Sequence, residues 1–284
     1  MGGYATMKKR LIAVLTVISL LVFSGCSNNS EEVGNSNTQD GKNNGNSQSA
    51  AKTFTEKVKS LQNEMKRYSQ NSNSLSPKEV NDISISCSKA FKEVLSAKDS
   101  IKATERDLLG GEASFYIKFG KENSVGDTKY RFAEFGHTKD AGGAITNLFL
   151  QEVGGKKEPL VMEVVKLIST SSAIEKLVNY DLVNSENSYH AVVFSKFNGA
   201  EVTLAKLYGF KLENRRLLTC KFDSIGDNKN WELDNSSPNG EQCIRYLSGA
   251  CDYKFSIENK LTKIEAINNN GTVLSEVKFS IPKN

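Results

Sequence analysis

Two hydrophobic periods run through this chain, and the switch between them at Gly110-Gly111 limits the fold more than any other feature. Before it, Phe54, Val58, Leu61, Met65 and Tyr68 recur at alternating steps of four and three, the spacing that lines one face of a helix. Thr53 and Glu56 supply a capping box at its start, each side chain satisfying a backbone amide that the first turn leaves unpaired. Ser76-Pro77-Lys78-Glu79 repeats the start signal, with proline at the first helical position, where its missing N–H costs nothing. Val80, Ile83, Cys87, Ala90, Val94, Ala97, Ile101, Thr104 and Leu108 then keep three-four spacing as far as the two glycines, which stop a helix. The spacing predicts an antiparallel helical hairpin over 53–109. Its second arm would run from Pro77 to Leu109, about 50 Å at 1.5 Å per residue, against about 28 Å for the first. The surplus length is expected to lie across the rest of the protein, burying Ile101 and Leu108.

From Glu112 onward the period is two. Phe115/Ile117/Phe119, Tyr130/Phe132, Leu218/Cys220/Phe222, Tyr253/Phe255/Ile257 and the run from Val273 to Ile281 alternate apolar with polar residues, so each predicts a strand with one buried and one wet face. Asn198-Gly199 and Asn270-Gly271 are strong hairpin signals. Leu160 to Ile168 and Ser172 to Tyr180 fit either period, and Ala173-Ile174-Glu175-Lys176-Leu177 reads as a short helix as readily as a strand. No internal repeat is visible. About 170 residues suffice for one core. The fold class expected is α+β, with the hairpin packed on a mainly antiparallel β domain over 110–284, a sandwich or partial barrel.

The first 52 residues belong to neither pattern. Lys8, Lys9 and Arg10 precede an apolar run from Leu11 to Phe23, too short for a spanning helix, which needs about 20 residues, but of signal-peptide length. Ser24-Gly25-Cys26 follows. In these residues the chain resembles bacterial lipoprotein precursors, whose lipobox places a small residue pair before a lipidated cysteine. The resemblance covers residues 7–26. It implies a diacylglycerol thioether, with its palmitate-type acyl chains, on Cys26, cleavage before that residue, and an extracytoplasmic chain anchored to a lipid membrane. Residues 1–25 are then a signal peptide and 26–52 a lipidated cysteine with its tether. Ser27 to Lys52 is Asn, Ser, Gly and Gln with Val33 as its one large apolar residue; it cannot offset its ordering entropy. Such a linker spans about 25–30 Å, so the folded part stays near the membrane surface. Met1-Gly2 matches the loose N-myristoylation pattern, but a secretory signal follows at once. Met7 is the expected true start.

Of 37 Lys and Arg residues, Lys8, Lys9 and Arg10 lie within the first 26, leaving 34 against 33 Asp and Glu. A near-neutral chain without a basic stripe argues against nucleic acid as partner. Cys87, Cys220, Cys243 and Cys251 allow three pairings in an oxidising compartment; Cys87 sits on the helical seam as a small hydrophobe, and a disulfide is open among the other three.

Chemistry is sparse. His137 and His190 are the two histidines, so any catalytic triad must use one of them; His190 lies within a strand pattern, His137 at a strand end. No Gly-x-Ser-x-Gly, His-Glu-x-x-His or phosphate loop is present. Ser86-Cys87-Ser88-Lys89 spells Ser-x-x-Lys without the companion motifs of penicillin-interacting enzymes. Asp223, Asp227, Asn228, Asn230, Glu232 and Asp234 crowd oxygens around one loop, the material of a calcium site, though not at EF-hand spacing. No other cofactor is implied. Trp231 follows that loop, with Tyr208, Phe210, Tyr246 and Tyr253 on nearby strands; an aromatic beside carboxylates and amides is how glycan platforms are made. Trp231, Tyr246, Asp227 and His137 are therefore the candidate binding residues, and Cys26 the lipidation site. The expected function is a non-enzymatic envelope lipoprotein binding an unknown ligand or protein. The alternatives are an envelope-acting hydrolase built on His137 or His190, and a structural component of an envelope assembly.

Overall fold

Glu56 accepts from the backbone N–H of Thr53 at 2.7 Å, and helix α1 (Phe54–Asn71) begins where that capping box predicts. Ser76 and Glu79 do the same for α2 (Pro77–Leu95), with Pro77 inside its first turn. The structure, a computed structural model, describes residues 52–281 apart from 72–73, 141, 156–157, 171, 201, 227, 238–239 and 259–260. Cys26 and the segments read from sequence as a signal peptide and a tether lie outside the described residues, as does Asp227.

The second arm is not one long helix. It stops at Leu95, makes a 3-10 turn over Lys98–Lys102, and restarts as α3 (Glu105–Leu109). The seam continues in sequence, but the backbone is interrupted by polar groups from elsewhere. Ser100 Oγ bonds the carbonyls of Leu95 and Ala97 at 2.9 and 2.6 Å, while Gln151 Nε2 donates to the Leu95 carbonyl at 2.6 Å. Arg131 donates to the Ser100 carbonyl at 2.9 Å and to Gln151 Oε1 at 2.8 Å. These contacts satisfy the carbonyls that a helix end exposes. Thr104 and Asp107 then form a third capping box, and Gly110 closes α3 in the left-handed region at φ 59°. The docking expected of this segment nevertheless occurs: Leu108 is fully buried, Ile101 half-buried, and Glu105 Oε1 accepts from the backbone of Phe119 at 3.2 Å.

Fourteen strands pair antiparallel in three sheets among the described residues. β1 (Phe115–Val125), β2 (Thr128–His137), β3 (Ile145–Val153) and β4 (Val161–Ile168) meander as the first. β5 (Ala173–Ser185), β6 (Ser188–Gly199) and β7 (Thr203–Glu213) lead the second, where β7 pairs with β8 (Arg216–Cys220) along one half and β11 (Gln242–Tyr246) along the other, and β10 (Trp231–Asp234) adds to β11. β9 (Asp223–Ile225), β12 (Asp252–Glu258), β13 (Leu261–Ile267) and β14 (Val273–Ser280) make the third. The ambiguous segments are both strands: Val161–Ile168 is β4, and Ala173–Leu177 opens β5 in register with β6. Both hairpin signals turn the chain, between β6 and β7 and between β13 and β14.

The layers stack as helices, first sheet, second sheet, third sheet. Phe91, Val94 and Leu95 of α2 pack with Phe115, Phe135 and Phe149 of the first sheet. The opposite face of that sheet, Phe132, Leu148 and Leu150, meets Ala191, Val193 and Tyr208 of the second. Val192, Phe194 and Leu207 then meet Phe255, Ile264 and Phe279 of the third. The expected wet face is therefore missing in the middle of the molecule. Tyr130 to Gly136 are all buried, because β2 has apolar neighbours on both faces. Close packing of α2 on this stack requires Gly143: a Cβ there would lie 2.0 Å from the Pro77 carbonyl, and its φ of 86° suits glycine.

Candidate functional site

His137 ends β2 with its ring 4.6 Å from Tyr68 and 4.3 Å from Phe115, centroid to centroid. Its Nε2 is 2.7 Å from Ser84 Oγ, which donates to the Val80 carbonyl at 2.6 Å. With the Ser84 proton so engaged, the ring donates from Nε2, and Nδ1 is a lone-pair acceptor shut away from solvent, without a partner among the described residues. Burial pushes the imidazole down to about 4. A Ser-His pair of this geometry resembles part of a triad, but the carboxylate that would orient the ring is missing from Nδ1, and Ser84 is 1% exposed inside a helix. His190 is buried on β6 between Val183 and Lys211, with Nδ1 unpartnered among the described residues, and burial followed by the Lys211 charge lowers its affinity for a proton.

Trp231 is 6% exposed and belongs to the core between the second and third sheets. Its indole N–H donates to Ser275 Oγ at 3.0 Å, and its ring lies 5.5 Å from Tyr246 and 6.4 Å from Tyr253. Tyr246 is half-buried, and its backbone N–H donates to the Tyr253 hydroxyl at 3.1 Å. The described oxygens of the acidic loop are spread over local contacts: Asn228 donates to Ser224 Oγ, Asp234 accepts from the backbone and hydroxyl of Ser236, and Glu232 lies 3.9 Å from Arg245. Among the described residues no group of three His, Cys, Asp or Glu side chains comes together. His137 lies in the core shared by helices and first sheet, and Trp231 in the core between second and third sheets, so the structure does not bring these candidates together.

Two buried polar knots went unnoticed in the sequence. Glu175 accepts from Ser195, Tyr208 and Lys206 at 2.5, 2.8 and 2.9 Å. Burial alone would lower the Lys206 pKa, yet the Glu175 carboxylate holds it above its ordinary value. Glu134, 4% exposed, accepts from Tyr116 at 2.6 Å and Tyr180 at 3.2 Å, joining the first and second sheets. Burial, with Glu134 next in effect, raises both phenols. The acceptors are engaged by groups of the protein itself, Glu175 tying β5, β6 and β7 within the second sheet and Glu134 joining two layers.

An open cleft of about 760 Å³ forms where three hairpin turns meet at one end of the stack. They are Val125–Thr128 between β1 and β2, Ser185–Ser188 between β5 and β6, and Glu213–Arg216 between β7 and β8. Its floor is Val125, Tyr189 and Leu212, all half-buried and packed on the core between the first two sheets. Asn184, Asn187 and Asn214 stand exposed on its walls. Lys211 and Glu213, its two charged lining residues, pair with each other at 3.4 Å. Among the described residues the four non-glycine positions of positive φ are Glu186, Asn187, Asn214 and Arg215, at 48°, 70°, 49° and 61°. Two consecutive positive values define the turn that matches strand twist, normally built with Asn-Gly. Here the second position carries a side chain in both turns. Arg215 uses its own to grip Glu152 at 2.8 Å, tying the turn to the first sheet. Asn187 lines the cleft. The sequence hides these turns because Glu-Asn and Asn-Arg are not hairpin dipeptides.

No protein-family model, curated protein or solved structure matches the chain.

Proposed function

We propose that this chain is a lipid-anchored extracytoplasmic lipoprotein, held to a bacterial membrane through Cys26, that binds a ligand without chemical conversion in the cleft between its hairpin turns. The observation that carries the binding half is the cleft itself: an apolar floor, three exposed amides and a self-neutralised ion pair, within the usual pocket range of about 300–1,000 Å³. Polar residues on turns held by rigid strands are a common arrangement for recognition. The Lys8–Arg10 cluster, the apolar run and Ser24-Gly25-Cys26 support the anchor, and the polar stretch to Lys52 supports a short reach from the membrane.

Expression in a bacterial host with radiolabelled palmitate tests the anchor. Label should enter the wild-type chain, be absent from Cys26→Ser, and the wild type should sediment with membranes while the variant is released. Equal labelling of both forms would refute it.

A further inference from the structure

Resting on the cleft as the binding face, we infer that its ligand is an uncharged, hydroxyl-rich ring compound of the saccharide class. Three features point there together. Asn184, Asn187 and Asn214 each present both a donor and an acceptor, the pairing that a hydroxyl, itself donor and acceptor, satisfies in full. The Tyr189 ring on the floor provides an apolar surface against which the C–H face of a sugar ring can lie. The Lys211–Glu213 pair at 3.4 Å cancels the charge that an anionic or cationic ligand would require. An extended peptide is the poorer fit. It would add to a strand edge, whereas this cleft lies at strand ends, where Ser185 pairs with Ser188 and Glu213 with Arg216 across the turns.

The backbone strain is part of the same argument. Asn187 occupies φ 70° at the turn position where glycine is preferred, and it lines the cleft. Retaining a side chain there costs stability, and strain of this kind gathers at ligand sites. Asn187 thus acts as a specificity-determining residue, carried on a turn that would be more comfortable with glycine in its place.

Two-dimensional amide NMR of the soluble Cys26→Ser chain, titrated separately with chitotetraose, cellotetraose, tetragalacturonate and tetra-alanine, decides the matter. One neutral oligosaccharide should shift the side-chain amides of Asn184, Asn187 and Asn214 together with the Tyr189 backbone signal. Asn187→Gly should then weaken that binding at least tenfold while leaving the melting temperature equal or higher, a combination that a folding defect does not produce. Preferential shifts with tetragalacturonate would overturn the uncharged ligand, and preferential shifts with tetra-alanine the saccharide class, either result leaving the cleft standing as a binding face. Cleft signals that no probe moves would overturn both.

Discussion

Gln151, in the middle of the first sheet, donates its side-chain amide to the carbonyl of Leu95 at 2.6 Å and so terminates a helix 56 residues earlier in the chain. The same side chain accepts from Arg131 Nε at 2.8 Å, so one neutral amide joins the end of α2 to a buried guanidinium. Burial lowers the Arg131 pKa, and the group remains cationic because its ordinary value is so high.

Gln151→Leu should therefore destabilise the protein by about 2 kcal/mol or more, since it strips a buried carbonyl and a buried cation of a partner while preserving bulk. Urea denaturation of the two forms measures it. A change below about 0.5 kcal/mol would mean that the amide is not what ends the helix.

Glu175→Gln should cost about 3–5 kcal/mol, because the Lys206 ammonium, bonded at 2.9 Å, is left buried beside a neutral group. Glu175→Gln combined with Lys206→Met should recover most of the loss. Chemical denaturation of the single and double variants reports the coupling; additive losses would contradict the ion-pair account.

Acid should weaken the fold through His137. Its folded value near 4 lies below the ordinary 6.5, so the unfolded chain binds the proton more readily in between. Stability is complete above about pH 6.5, falls as pH drops through that window, and levels off below about 4. The loss attributable to this residue is of the order of 3 kcal/mol. His137→Leu should flatten the profile, and titration of the His137 C2 proton by NMR checks the value directly.

The thiols should be inert in the native state. Among the described residues Cys87, Cys220, Cys243 and Cys251 are all unpaired, and burial pushes the first three up to about 12, 11 and 12. Cys251, half-buried and raised less by the same cause, should alkylate first. In the Cys26→Ser form, iodoacetamide at pH 8 should label slowly without urea and add four adducts with it, whether or not reductant is present. Fewer adducts without reductant would reveal a disulfide.

Trp231 is the one tryptophan in the chain, so its fluorescence reports the core between the second and third sheets. Emission should be blue-shifted and poorly quenched by acrylamide. Trp231→Ala should cost about 3–5 kcal/mol, and neither observation should depend on the cleft. Strong quenching in the folded state would place the ring outside the core.

The helix starts at Phe54 and Pro77, the change of period after Gly110-Gly111, and the hairpins at Asn198-Gly199 and Asn270-Gly271 were all legible. Each rests on contacts within a few residues. The capping box at Thr104 and Asp107 was equally local, yet the apolar seam running through it hid the restart of α3. Leu218 shows the limit of alternation in the other direction: it fits a strand pattern and shares a face with Cys220, which packs against the core between the second and third sheets, yet its own side chain is 46% exposed.

The candidate site was hardly legible. Trp231 reads as a platform by residue type, but its place under the third sheet follows from the pairing of β10 with β11 and the stacking of two sheets. The cleft is assembled from turns near residues 126, 187 and 214, which no local pattern connects.

What the chain determined by itself is whatever depends on neighbours a few positions apart: periodicity, caps and turn chemistry. What the tertiary structure decided is which faces became dry, where the long apolar seam had to break, and which three turns came to share one cleft. The physical reason is that hydrogen bonds inside an element are specified by nearby residues, whereas burial and convergence depend on how separate sheets stack, and the surface that each layer presents exists only once the others have formed.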